Sequence, residues 1–211
     1  FPPGGIEIFY DQGQVPEAGS LLIQTALGNT LNKMVSAAKF SGTDRLTEIA
    51  AARQCFYKGE IADAIIAGVR SVGGLMDEND LSEYQEEYST PASVDYRGYS
   101  IHSQSTWTQG PVCLQALNIL ENFDLGSLGY NSAEYIHIVT EALKLVFADR
   151  EAFYGDPNFS SIPIDGLLSK EYAAQRAKRI NPETACPGLP PFGDPWSYSK
   201  LEGYVSKQPG F

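Results

Sequence analysis

Apolar residues recur at three- and four-residue spacing through the first third of the chain. The stretches 19–40 (GSLLIQTALGNTLNKMVSAAKF) and 44–57 (DRLTEIAAARQCFY) carry this stripe, and GEIADAIIAGVRSVGG repeats it before a glycine pair. Three short helices in series are predicted, forming a helical layer. In LMDENDLSEYQ, Asp77 with Asp80 three residues on marks the capped start of another short helix. Over residues 86–104 the period shortens to two: EEYSTPASVDYRGYSIHSQ alternates, with Arg97-Gly98 as the turn of a β-hairpin. Tyr96, Tyr99, Ile101 and Ser103 then lie on its strands, and His102 faces away from Ile101.

The second strand runs into HSQSTWTQGPVCLQALNILENFDL, which changes from polar to apolar at Pro111. A proline there suits a helix N-terminus, because the first helical position has no use for its missing amide hydrogen. From Val112 to Leu120 only Gln115 and Asn118 are polar, so this helix is expected to be buried on more than one side. Ser105, Thr106 and Thr108 beside His102 raise the question of a nucleophile with its base. No Gly-x-Ser-x-Gly elbow surrounds them, and turn and cap roles explain all three hydroxyls.

The longest helix is predicted in NSAEYIHIVTEALKLVFADREAFYGD, with Asn131 and Glu134 in capping-box positions and Gly155 as its stop. Tyr135, Ile138, Val139, Ala142 and Val146 make its apolar stripe, widened by Ile136, Leu143 and Phe147. His137 reads as a core or edge histidine, since Glu134 and Glu141 do not complete a His-Glu-x-x-His zinc pattern. A further helix, SKEYAAQRAKRINP, starts at Ser169 and places Arg176, Lys178 and Arg179 near its end, where cations offset the helix dipole. From Pro182 onward, six prolines and four glycines preclude a regular element and leave an irregular tail.

Composition narrows the function classes. A chain of 211 residues with 43% hydrophobic content can bury a core, and its net charge of −11 repels phosphate backbones and anionic surfaces. No nucleic-acid partner is expected. No apolar run approaches the ~18 residues of a membrane span, so no membrane segment is expected in this chain. Cys55, Cys113 and Cys186 are widely spaced and only two histidines are present, which supports neither a disulfide framework nor a metal site. Cys113, inside an apolar run, reads as a small buried hydrophobe. The opening, FPPGGIEIFYDQGQVPEAG, reads as a Pro/Gly-rich loop, and the chain as a piece of a larger protein.

Four blocks together resemble the gamma-glutamyltranspeptidase family: CFYKGEIADAIIAGVRSVGGLMDENDLSEY, YRGYSIHS, LQALNILENFDLGSLGYNSAEYIHIVTEALKLVFADREAFYGDPNF and LLSKEYAAQRAKRI. They run in family order through almost the whole chain and are most specific from Leu114 to Phe159. The resemblance implies the second half of a large subunit, upstream of a self-cleavage site. It implies an α+β fold, part of an αββα N-terminal-nucleophile hydrolase sandwich with an outer helical layer. On that reading 1–211 is a single incomplete domain: 1–85 a helical layer, 86–181 the hairpin, buried helix and long helices, 182–211 a flexible tail before the cleavage site.

The family's nucleophile is the new N-terminal Thr of a small subunit, which attacks a gamma-glutamyl amide such as glutathione with help from its own α-amine. It would follow Phe211, and the family's substrate-binding arginine would precede Phe1, so no catalytic residue is expected within this chain. No cofactor and no metal are implied. The implied partners are the small subunit of the same precursor and a gamma-glutamyl or related amide, and the family favours a periplasmic or secreted location. The family's Pro-Pro-Pro-Ser-Ser-Gly-Gly is replaced here by Ser105-Thr106-Trp107-Thr108-Gln109-Gly110-Pro111. If this turn approaches the pocket, Trp107 and Gln109 are the candidate substrate-binding residues, one by shape and one by hydrogen bonding. A noncatalytic scaffold for binding or assembly, a related amidase or cephalosporin acylase, and an independent helical binding domain remain as alternatives.

Overall fold

The computed structural model describes residues 4–10, 12–42, 44–86 and 88–199. Two compact units divide at Tyr88 and Ser89. In the first, a short α1 (Gly5–Phe9) precedes α2 (Thr25–Ser41), α3 (Arg45–Tyr57), α4 (Glu60–Ser71) and α5 (Glu78–Ser82). The helix expected from residue 19 begins only at Thr25, and α1 occupies part of the opening read as a loop. Asp44 caps α3, its Oδ1 accepting from the Leu46 and Thr47 amides at 2.9 and 3.1 Å. Asp77 and Asp80 form the reciprocal capping box anticipated for α5.

Within this unit α2 packs on α3, α3 on α4 and α4 on α5. Among its described residues the buried apolar ones are Ile61, Ala62 and Ile66 of α4. The α2 stripe is different: Leu27, Leu31 and Val35, one turn apart, stay about half exposed. Near the end of the unit Arg53 lies 4.7 Å from the Tyr57 ring centroid and donates to the Tyr84 carbonyl and the Glu86 carboxylate, while Tyr57 stacks on Tyr84.

The second unit begins with β1 (Ala92–Tyr96) and β2 (Tyr99–Ser103), an antiparallel pair in the register Val94↔Ile101. Arg97 and Gly98 both have positive φ, 48° and 87°, as a two-residue turn matching the strand twist requires. Three helices then build the core: α6 (Gly110–Leu120), α7 (Ala133–Phe153) and, after the single turn α8 (Ile164–Leu167), α9 (Lys170–Ala177). Val112, Ala116, Ile119 and Leu120 of α6 meet Ile138, Ala142, Leu145 and Val146 of α7 and Ala173 and Ala177 of α9. Each fully buried Leu or Ile contributes about 1.5–3 kcal/mol relative to an exposed one.

Lys170 holds the hairpin against this core, donating to the Asp95 carbonyl and to Glu121 Oε2, both at 2.5 Å. Glu121 Oε1 in turn accepts from the Arg97 amide at 3.0 Å. These contacts, led by the Lys170 hydrogen bond, keep the Glu121 carboxyl below the ordinary glutamate range.

Several local expectations are corrected by packing. Cys113 is exposed, because the outer line of α6 runs through Cys113 and the half-buried Leu117, while the polar Gln115 and Asn118 are fully buried. Ser132 rather than Asn131 caps α7, accepting from the Tyr135 amide at 3.0 Å, and Asn131 takes a left-handed conformation before it. Ile136 and Leu143 lie on the outer side of α7. Their places in the buried row are taken by Glu141, Leu145 and Asp149, spaced by four. His137 sits at the helix edge with Nε2 2.7 Å from the Asn181 carbonyl oxygen. Arg176 does not serve as a solvated dipole counterion but is buried, 5% exposed.

Candidate functional site

The turn between β2 and α6 is held by backbone chemistry. Thr108 Oγ1 donates to the Ser105 carbonyl and accepts from the Gly110 amide, both at 3.0 Å, so it caps the helix start in place of Gln109. Gly110 is required by close approach: a Cβ there would lie 2.3 Å from the Gln104 carbonyl oxygen and 2.5 Å from Ser103 Oγ. That contact brings the helix start onto the end of β2, with Trp107 and Gln109 exposed in the turn and Thr106 buried. Trp107 is 58% exposed.

An open depression of about 870 Å³ lies between this turn and the end of α7, lined by Trp107, Gln109, Arg150, Glu151, Tyr154 and Asp156 among others. Both candidates singled out in the sequence, Trp107 and Gln109, therefore line one concavity. Thr106 also lines it and is 4% exposed. His102 is not among its lining residues, and its side chain is exposed on β2. An indole face, a primary amide, a guanidinium and two carboxylates converge there, enough to orient a small polar substrate.

Behind the depression lies a buried polar node that the sequence reading did not find. Tyr154 donates from its hydroxyl to Gln115 Oε1 at 3.2 Å, and Gln115 Nε2 donates to Asp149 Oδ2 at 2.6 Å. Tyr172 donates to the same oxygen at 2.8 Å. Asp149 Oδ1 accepts from the Gly193 amide at 2.9 Å and pairs with Arg176 Nη2 at 3.0 Å. Arg176 also donates to the Leu145 and Pro191 carbonyls.

Asp149 is fully buried. Burial pushes its carboxyl above the ordinary aspartate range, opposed by Arg176, the Gly193 amide, Tyr172 and Gln115. Both oxygens face donors, so the geometry accommodates the carboxylate and offers a carboxyl proton no acceptor. Burial, reinforced by the nearby Asp149 charge, raises both Tyr154 and Tyr172, which stay neutral donors. The sequence does carry a signal for this node. Glu141 and Asp149 fall in phase with Leu145 on the apolar row of α7, where a solvated carboxylate has no place.

The described residues contain no group of three or more His, Cys, Asp or Glu able to hold a metal. Among them no helix is long and apolar enough to cross a membrane.

Comparison with known proteins gives the class first. The fold matches the crystal structure of Helicobacter pylori gamma-glutamyltranspeptidase with a TM-score of 0.69 at 32% identity, over 88% of this chain and 50% of that one. Residues 2–209 match the family described as Gamma-glutamyltranspeptidase, and the chain belongs to that family. A glutathione hydrolase proenzyme of Pseudomonas sp. (strain A14) is 37% identical over 191 residues, 87% of this chain and 31% of that protein. The Acylase ACY 1 proenzyme of Pseudomonas sp. (strain SE83) is 34% identical over 184 residues, 87% of this chain and 30% of that protein. The chain thus spans about a third of the length of these curated relatives. The helix-rich α+β architecture with a small two-stranded sheet agrees with the family expectation.

Proposed function

We propose that this chain is the C-terminal portion of the large subunit of an autoprocessed gamma-glutamyl transferase or hydrolase. The supporting observation is the family match over residues 2–209 to relatives named as proenzymes. On this reading the hairpin and α6 belong to an αββα sandwich completed by chain outside 1–211, including the small subunit. An N-terminal Thr of that subunit adds to the gamma-glutamyl carbonyl, its α-amine taking the hydroxyl proton, and the amine leaves with a proton. Water or an amino acid then takes the acyl group, with backbone donors holding the oxyanion in both steps. Neither step calls for a metal or an organic cofactor. The partners are the small subunit and the amide substrate, and export from the cytoplasm suits the family.

The chain's contribution to substrate choice is the depression. Trp107 presents a flat apolar face to the part of the substrate beyond the scissile amide, and Gln109 offers one donor and one acceptor. Intact mass of the purified full-length parent under denaturing conditions tests the reading. Two fragments, the smaller beginning with Thr, are expected; a single uncut chain would turn the assignment to a noncatalytic scaffold.

A second reading, acyl amides other than gamma-glutamyl, is favoured by the acylase relatives and by Trp107 and Gln109 standing where the family pattern has Pro and Ser. Trp107→Ala and Gln109→Ala are expected to change the ratio of kcat/KM between gamma-glutamyl and aliphatic acyl amides by on the order of tenfold. An unchanged ratio in both variants would remove the turn from the substrate site.

A further inference from the structure

Residues 182–199 have little regular structure, yet they are tied closely to α7 and α9. The Cys186 amide donates to Glu141 Oε2 at 3.1 Å, and Lys144 Nζ donates to the Cys186 carbonyl at 2.7 Å. Arg176 Nη1 reaches the Pro191 carbonyl at 3.1 Å, and the Gly193 amide reaches Asp149 Oδ1 at 2.9 Å. Pro195 is fully buried on Gly166, where a Cβ would lie 1.9 Å from the Pro195 carbonyl oxygen. Asp194 then closes the 3-10 turn Trp196–Tyr198, accepting from the Trp196 amide and the Ser197 hydroxyl.

Glu141 and Asp149 thus stand two turns apart on one row of α7 and hold an extended strap at Cys186 and Gly193. Burying a charged pair is costly and gives little advantage over apolar packing as a source of stability. Its use here is directional. An Arg-paired carboxylate that also accepts a strap amide admits one register, whereas apolar contacts would let the strap slide.

We propose that Asp149, with Arg176 and Gly193, is a positioning node for self-cleavage. It fixes the point from which the chain runs on past Ser199 toward the bond to be cut. This rests on the autoprocessing reading above. In that step the Thr hydroxyl adds to the carbonyl of the preceding residue. The peptide C–N bond breaks, an ester C–O bond forms, and the hydroxyl proton passes to the released amine. Water then hydrolyses the ester, leaving a new carboxyl terminus and restoring the hydroxyl. Attack needs the hydroxyl about 3 Å from the carbonyl and aligned with it, so losing the anchor from which the chain runs on lowers the share of precursor that reaches this geometry.

The test follows cleavage of the full-length precursor by intact mass over time. Asp149→Asn keeps the shape of the side chain but removes the charge and turns an amide nitrogen toward donors. Gly193→Ala leaves Asp149 and Arg176 intact but places a Cβ 2.3 Å from Tyr172 Oη, lifting the strap from its seat. Both variants are expected to slow cleavage by on the order of tenfold to a hundredfold. The cleaved fraction of Gly193→Ala should turn over a gamma-glutamyl anilide with wild-type kcat/KM, because the anchor is needed only before cleavage. A purely structural role would lower turnover of the cleaved fraction together with cleavage, and that outcome, like loss of folding in both variants, overturns the proposal. Wild-type cleavage rates in both variants overturn it alone. A wild-type precursor that never cleaves overturns it together with the functional reading.

Discussion

The helices α2 and α7 are both long and both carry apolar residues at helical spacing, yet they use that pattern in opposite ways. In α2 no residue is buried, and Leu27, Leu31 and Val35 remain half exposed. In α7 the buried residues include Glu141 and Asp149 beside Ile138, Leu145 and Val146. Periodicity marks a face; it does not say how much of that face is covered or by what. The polar groups of α7 are buried because each finds partners: Asp149 has Arg176, Tyr172, Gln115 and the Gly193 amide, and Glu141 has Lys144 and the Cys186 amide.

The largest expected effect comes from leaving a buried charge alone. Arg176→Met keeps much of the side-chain volume but strands Asp149, and should cost about 3–5 kcal/mol in urea denaturation. A cost below 1 kcal/mol would mean that Asp149 is neutral or hydrated and would erase the contrast between the two helices. Next is the apolar comparison itself. Leu145→Ala, at a site 3% exposed, should cost about 2–5 kcal/mol, while Leu31→Ala, 52% exposed, should cost under about 1 kcal/mol. If the two costs are equal in the full-length protein, the α2 face is covered by chain outside 1–211.

Caps give a smaller effect of the same size in both units. Asp44→Ala at α3 and Ser169→Ala at α9 each remove a side chain that accepts from backbone amides, and each should lower the melting free energy by about 1 kcal/mol.

The smallest effect is in the pH profile. Burial works to raise the Glu141 carboxyl, but the Lys144 hydrogen bond and the Cys186 amide outweigh it and hold it below the ordinary value of 4.5. A folded value below the unfolded one means that the unfolded chain binds the extra proton. This contribution is therefore present above the unfolded value and lost as pH falls through the folded one. Glu141→Gln should flatten the acid limb of stability below about pH 4.5 relative to wild type, read by melting temperature across that range. Asp149, displaced upward by burial, works in the opposite sense: its contribution is present at low pH and lost as pH rises through its folded value.

Much of the fold was legible because it depends on local chemistry. Asp77 and Ser169 start helices by offering oxygen to free amides, Arg97-Gly98 makes a turn only positive φ allows, and Pro111 marks where α6 begins. Those preferences act within four residues and need no knowledge of the rest of the chain. The polar turn at residues 105–109 is legible in the same way, and its Trp107 and Gln109, which depart from the family pattern, line the depression.

Tertiary structure alone decided which face of α6 turns inward and where the buried charge sits. Cys113 lies outside and Gln115 inside because Gln115 has Asp149 and Tyr154 to bond with, and those partners are 34 and 39 residues away. Likewise, Arg176 finds Asp149 across the core, and Gly193 reaches the same carboxylate from 44 residues beyond it. A burial cost is offset only by partners in space, so one-dimensional spacing identifies Asp149 as out of place without saying what holds it there.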